Sequence, residues 1–455
     1  MMARPERPRR RAGRSVFRSM LADTTPLQSP EFKRLWIANI ITVIGAQLNV
    51  IVVPMQIYVI TDSSAYVGLA GAFGLVPLVI FGLYGGALAD MVDRRKLLVI
   101  TTVGLIVTAV AFWAQAAAGL DNVWLILWIF ALQQAFFAVN QPTRTAVTAR
   151  IVPDGSIAAA TSLNMTVQQA GAVVGPVLGG LLMPLTGFAW LYFIDAVCLL
   201  ATLWAVIALP ALPVDTPDGA RAVRRNGRQR KTPGFRSIIE GFVFLAAMPI
   251  LLMSFIIDLI AMVFGMPRAL IPQMSTVDFG ESGEGGLFLA LLYAAVPAGA
   301  VLGGVFSGTV TRLRRQGLGI VVSVLLWGVA IIVMGAAVML ADGRAGLWAW
   351  VAVIAFVFGG LVDMFSSVQR SAMLQEAVDD HMRGRLQGVF LIVVAGGPRL
   401  ADMLHGWAGA SWGAGMATLA GGVAVVVGTL IAIALVPSFL KYVPARFATQ
   451  PVITQ

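Results

Sequence analysis

Apolar residues run along this chain in blocks of twenty or more, broken by short charged, proline-rich or glycine-rich stretches. About 20 consecutive apolar residues in helical form reach across a bilayer's hydrocarbon core, and a helix satisfies its backbone polar groups without water. Cutting at the interruptions gives twelve segments, at 32–60, 65–89, 97–118, 123–148, 157–185, 188–209, 238–266, 286–310, 318–340, 347–372, 386–407 and 414–435. The pattern predicts an all-α integral membrane protein of twelve transmembrane helices.

Between segments six and seven, Pro213 to Pro233 mixes prolines with Arg221, Arg224, Arg225, Arg228, Arg230 and Lys231, a polar linker rather than a span. The chain therefore divides into a disordered basic tail (1–30), a six-helix bundle (31–210), a basic linker (211–235), a second six-helix bundle (236–440) and a short tail (441–455). An internal repeat supports two pseudo-symmetric halves. Gly68, Gly86 and Arg94 recur at a constant offset as Gly286, Gly304 and Arg312, and Arg144 precedes Asp154 as Arg370 precedes Asp380. Halves repeated in this way are the pattern of alternating-access carriers.

Charge then orients the chain. Cytoplasmic loops hold the excess of lysine and arginine, and 29 of the 32 such residues fall on one side of a twelve-pass arrangement, Arg268, Arg344 and Arg399 being the exceptions. The opposite side carries Asp62, Asp121, Asp278, Glu281, Glu284 and Asp342. Both termini are expected in the cytoplasm, with the protein multi-pass in a bacterial inner membrane. The first thirty residues lack the short hydrophobic region of a cleavable secretory signal.

Composition narrows the function. The chain is 58% hydrophobic and 12% charged, against about 45–50% and about 25% in soluble domains, so lipid is its main solvent. A net charge of +10 does not imply nucleic-acid binding, because the basic residues are spread over loops rather than gathered on one soluble face. One cysteine, Cys198, and two histidines, His381 and His405, make no ligand set, so no metal and no cofactor are expected. No glycine-rich lysine motif for ATP occurs, which leaves an ion gradient as the energy source. A membrane enzyme would need a paired nucleophile and base, and a sensor would normally carry a soluble signalling domain.

The end of segment two reads Gly85-Gly86-Ala87-Leu88-Ala89-Asp90-Met91-Val92-Asp93-Arg94-Arg95-Lys96. Its glycines admit close helix approach, and Asp90 is placed to cap a neighbouring helix or pair with a guanidinium. The stretch resembles the cytoplasmic loop signature of the major facilitator superfamily. The resemblance implies a conformational latch of Gly86, Asp90 and Arg94, with Met91 and Asp93 departing from the usual pattern. Segment five carries Gly171, Gly175 and Gly179 on one face beside Pro176, a surface for tight packing with a proline kink. In this superfamily such an element is similar to the antiporter signature of exporters. Further stretches, Leu292-Tyr293-Ala294-Ala295-Val296-Pro297, Ile239-Glu240-Gly241-Phe242 and Gly384-Arg385-Leu386-Gln387-Gly388, resemble the enterobactin exporters and the drug:proton antiporters that include them.

Polar groups within hydrocarbon are costly and usually face a cavity. The resemblance implies that segments one, four, seven and ten line it. They carry Asn39, Gln47, Asn49, Gln133, Gln134 and Asn140 as cavity candidates, and Asp258, Asp363 and Arg144 as proton-coupling candidates. An acid in a dry cavity is suited to bind and release a proton. The same acids could instead form structural ion pairs, Asp363 with Arg370 or Asp258 with Arg399, and Arg399 and Asp402 have the spacing to pair with each other. Asp195 in segment six reads as structural. The expected activity is proton-coupled export of siderophores or amphipathic drugs by a monomer in lipid, with an importer or facilitator of the same fold as the rival.

Overall fold

The structure, a computed structural model, describes residues 23–212, 243, 245–310, 314–376 and 380–443, and the described side chains exclude those of 83–91, 307, 309, 310, 376 and 380–392. Regular structure among these residues is helical throughout. The first four long helices are α1 (Pro30–Thr61), α2 (Ser64–Met91), α3 (Arg94–Ala117) and α4 (Val123–Ile151). Helical bonding then continues over Ile157–Ile207, 51 residues, a length of about 75 Å at 1.5 Å per residue. The hydrocarbon core is only about 30 Å thick. Gly187, at φ 75°, breaks this stretch into α5 (157–186) and α6 (188–207), in a conformation that glycine adopts without a Cβ clash.

The first long helix of the second half among the described residues is α7 (Pro249–Gly265), with helical backbone also at 243 and 245–246; the expected start at residue 238 lies outside the described residues. Pro249 occupies the first turn, where its missing N–H costs nothing because no intrahelical acceptor exists there. Beyond Gly265 the apolar span continues to Asp278 through a 3₁₀ turn (Arg268–Leu270), a helical turn (Ile271–Gln273) and a π-helical turn (Met274–Asp278). Then follow α8 (Leu287–Val310), α9 (Gln316–Leu340), α10 (Leu347–Glu376), α11 (Asp380–Trp412) and α12 (Ala414–Leu435). With the 51-residue stretch divided, twelve long helices stand among the described residues.

The packing repeats between halves. In the first, α1 packs on α5, α2 on α4 and α3 on α6; in the second, α7 packs on α11, α8 on α10 and α9 on α12. The halves meet where α2 lies against α11 and α5 against α8, and these two contacts exchange under the same pseudo-symmetry. Apolar helix faces point outward to lipid, with Trp128, Leu185, Trp204, Val305 and Leu435 all exposed.

Loop residues fix the helix ends. Asn122 Oδ1 accepts from the Trp124 and Leu125 amides at the start of α4, at 3.0 and 3.2 Å. Asp93, the residue that departs from the family loop, accepts from the Lys96 amide at 3.1 Å and so caps α3. Arg95 donates to the Ile207 carbonyl at 2.6 Å, placing a cation at the C-terminal end of α6. Glu281 accepts from the Phe288 and Leu289 amides at 2.7 and 2.9 Å and from Ser275 Oγ at 3.0 Å, tying the loop before α8 to that helix's first turn. Glu281→Ala is expected to cost about 1–2 kcal/mol of stability, the usual loss of a helix cap. Thermal unfolding of the purified protein measures this, and an unchanged midpoint would show that the cap is dispensable.

Candidate functional site

The polar residues of α1 and α4 converge. Asn39, Gln47 and Asn49 from α1 and Gln133, Gln134, Asn140 and Arg144 from α4 line one cavity of about 270 Å³, together with Gln168, Asp195 and Arg399. A second compartment of about 140 Å³ adjoins it, sharing Asn49, Gln133, Gln134 and Arg399 and adding Arg268, Tyr293 and Asp402. All six cavity candidates thus lie on one wall, inside the first half, and the second half closes the far side through α8 and α11.

Hydrogen bonds hold this wall in shape. Asn49 Nδ2 donates to Asp195 Oδ2 at 2.6 Å across α1 and α6, and Asp195 is buried. Asn140 Nδ2 donates to Thr101 and Thr102 on α3, at 2.9 and 3.3 Å. The Asp195 carboxylate therefore belongs to the cavity, whereas position in segment six suggested a structural role apart from it. Its sequence signal was a mid-span acid on a helix not expected to line the site. Gln56 faces elsewhere, in a closed network with Gln115 at 3.0 and 3.2 Å and Tyr192 at 2.8 Å.

Arg144 and Arg399 bring positive charge to the cavity. Arg144 Nη2 lies 3.5 Å from the Leu35 carbonyl. Arg399 Nη2 donates to Gln134 Oε1 at 3.3 Å, and its guanidinium carbon stands 5.3 Å from the Phe130 ring centroid. Asp402 does not pair with Arg399 as their spacing suggested; it binds Arg268 at 3.2 Å, from the turn after α7. Arg268 was also one of the three exceptions in the topological count, and that anomaly was the available clue to its role.

Asp258 and Asp363 lie apart from this cavity, within the second half. Arg370 Nη2 stands 2.8 Å from Asp258 and 3.9 Å from Asp363, and Arg370 also donates to Ser366 Oγ at 2.8 Å. One guanidinium thus serves two carboxylates. Asp258, paired with Arg370 rather than Arg399, opens onto a cleft of about 10 Å³, while the Asp363 side chain is 40% exposed.

The glycine face of segment five packs on α1. A methyl group built at Gly171 would overlap Val43, one at Gly175 would overlap Gln47, and one at Gly179 would fall 2.7 Å from Ile51 Cγ2. Pro176 is buried beside them. One residue further, Gly180 meets the backbone and side chain of Ala290 on α8, across the boundary between halves. The symmetric contact is equally close, with Gly68 of α2 against Gly406 of α11, where Ser64 Oγ donates to the Gly406 carbonyl at 2.9 Å. Both contacts lie towards the ends that carry the acidic loops, so the halves are closed together there. Of the latch residues, the side chains of Gly86 and Asp90 fall outside the described ones; Arg94 begins α3, and its amide donates to the Leu212 carbonyl at 3.3 Å.

This architecture matches known transporters. The chain is 27% identical over 390 residues to the enterobactin exporter EntS of Shigella boydii, covering 84% of this chain and 86% of that protein. It is 27% identical over 419 residues to EntS of Salmonella typhimurium, covering 89% and 92%. Among solved structures, a mutant of the peptide transporter POT superposes with a TM-score of 0.72 at 13% identity, over 91% of this chain and 95% of that one. The nucleoside transporter NupG gives 0.69 at 13% identity, over 90% and 99%. The Major Facilitator Superfamily profile matches residues 35–401, and the chain belongs to that family of multi-pass membrane transporters.

Proposed function

We propose that the protein exports a small-molecule cargo, a siderophore or an amphipathic drug, across the bacterial inner membrane in exchange for protons. The observation that carries this reading is the polar cavity between two pseudo-symmetric halves that touch at their acidic ends, in a chain similar over most of its length to enterobactin exporters. With basic loops in the cytoplasm, that cavity is loaded from inside, and alternation of the halves releases the cargo outside. The glycine face on α5 supports the outward direction. The protein is expected to work as a monomer in lipid.

Asp258 and Asp363 sharing Arg370 are the proposed proton site. A single guanidinium neutralises one carboxylate, so the second carries a charge that protonation removes. Arg144 is the third candidate, set to respond within the cavity. In everted vesicles holding a pH gradient, cargo addition is expected to dissipate that gradient, and Asp258→Asn or Asp363→Asn to abolish gradient-driven efflux. Cargo accumulation indifferent to the gradient removes antiport; full activity in both variants removes the assignment of these two acids.

A further inference from the structure

The charge of the cavity wall points to the chemistry of the cargo. The two compartments carry three guanidinium groups, of Arg144, Arg268 and Arg399, against two carboxylates: Asp402 is bound by Arg268, and Asp195 accepts from the neutral amide of Asn49. Arg399 and Arg144 form no ion pair among the described residues. Among the described residues Arg399 is held by a neutral amide, Gln134, and an aromatic face, Phe130, and it lines both compartments. One positive charge is thus in excess in a membrane interior, and an anionic oxygen is the ligand that compensates it; a carboxylate does so by two parallel N–H bonds to a guanidinium. The amides of the wall add donors for further oxygens, while Phe130 and Phe137 offer flat apolar surface.

We propose that this cavity selects organic anions, binding a carboxylate or phenolate oxygen at Arg399, with Arg144 as the second cation and the aryl part of the cargo beside Phe130. This rests on the export reading above and chooses, between its two cargo classes, the oxygen-rich anionic one over lipophilic cations. A cation site would instead hold an excess of carboxylates, where this lining holds Arg144, Arg268 and Arg399 against Asp195 and Asp402.

The test uses the full-length protein in nanodiscs of uncharged lipid and three probes of similar size: salicylate, neutral salicylamide and phenyltrimethylammonium. Calorimetric titration of the unmutated protein should show salicylate binding at least tenfold more tightly than salicylamide, with phenyltrimethylammonium weaker still. Arg399→Gln should erase the preference for salicylate over salicylamide, Arg399→Lys should keep part of it, and Arg95→Gln, outside the cavity, should leave it whole. Equal binding of the three probes, preference for the ammonium, or a salicylate preference untouched by both Arg399→Gln and Arg144→Gln overturns the proposal. The comparison on unmutated protein decides even where a variant fails to fold. Proton-driven efflux is read separately in vesicles: its failure with anion preference intact sinks the antiport alone, and the converse sinks the anion site alone.

Discussion

Arg370→Gln is expected to destabilise the protein by about 3–5 kcal/mol, because it leaves the Asp258 carboxylate buried without its partner. The Asp258 and Arg370 side chains are 3% and 8% exposed, so water offers little compensation. The loss also strips Ser366 of its bonded guanidinium and sets Asp258 and Asp363 against each other as like charges. Unfolding in mild detergent, followed by tryptophan fluorescence, measures the cost. The double substitution Asp258→Asn with Arg370→Gln should recover most of it, since the uncompensated charge is then gone; no recovery would mean that Arg370 stabilises the fold by packing alone. Asp363→Asn should cost far less, its side chain being partly exposed.

Gly180→Val is expected to drive the two halves apart at their acidic ends. The added side chain would meet Ala290 on α8, and overpacking of this kind costs roughly 1–3 kcal/mol. The cost falls on the closed arrangement and is relieved when the halves separate, so the equilibrium should move roughly 5–150-fold towards the open one. Spin labels at Leu185 and Leu287, both exposed and flanking this contact, should report a longer distance in a background with Cys198→Ser. Gly68→Val, at the symmetric contact with Gly406, should act in the same sense. Unchanged distances in both variants would show that neither contact limits the opening.

The layout of the fold was legible because its cause is simple: a run of about 20 apolar residues crosses hydrocarbon as a helix that satisfies its own backbone, and interruptions mark the turns. Even the boundary between segments five and six fell where Gly187 breaks a helix whose hydrogen bonding is otherwise continuous. The cavity wall was legible for a related reason, since Asn39, Gln133 and Asn140 can be tolerated mid-span only beside other polar groups. Partnerships were not legible. Several charges share a depth in the membrane, and sequence spacing favours neighbours on the same helix, so Asp402 looked like the partner of Arg399. Its real partner, Arg268, reaches the site because the chain unwinds after Gly265 into a 3₁₀ turn, a change that hydropathy does not register. The spacing of Gly171, Gly175 and Gly179 likewise identified a packing face but not α1 as its counterpart.

That face has a mechanical consequence. Gln47 lines the cavity while its Cβ rests on Gly175, and Gly180, little more than a turn along the same helix, rests on the opposite half. Glycine leaves no side-chain cushion at either point, and close-packed interiors compress little. One short stretch of α5, kinked at Pro176, therefore touches both the cavity wall and the seam, so neither surface can shift without pressing on the same few residues.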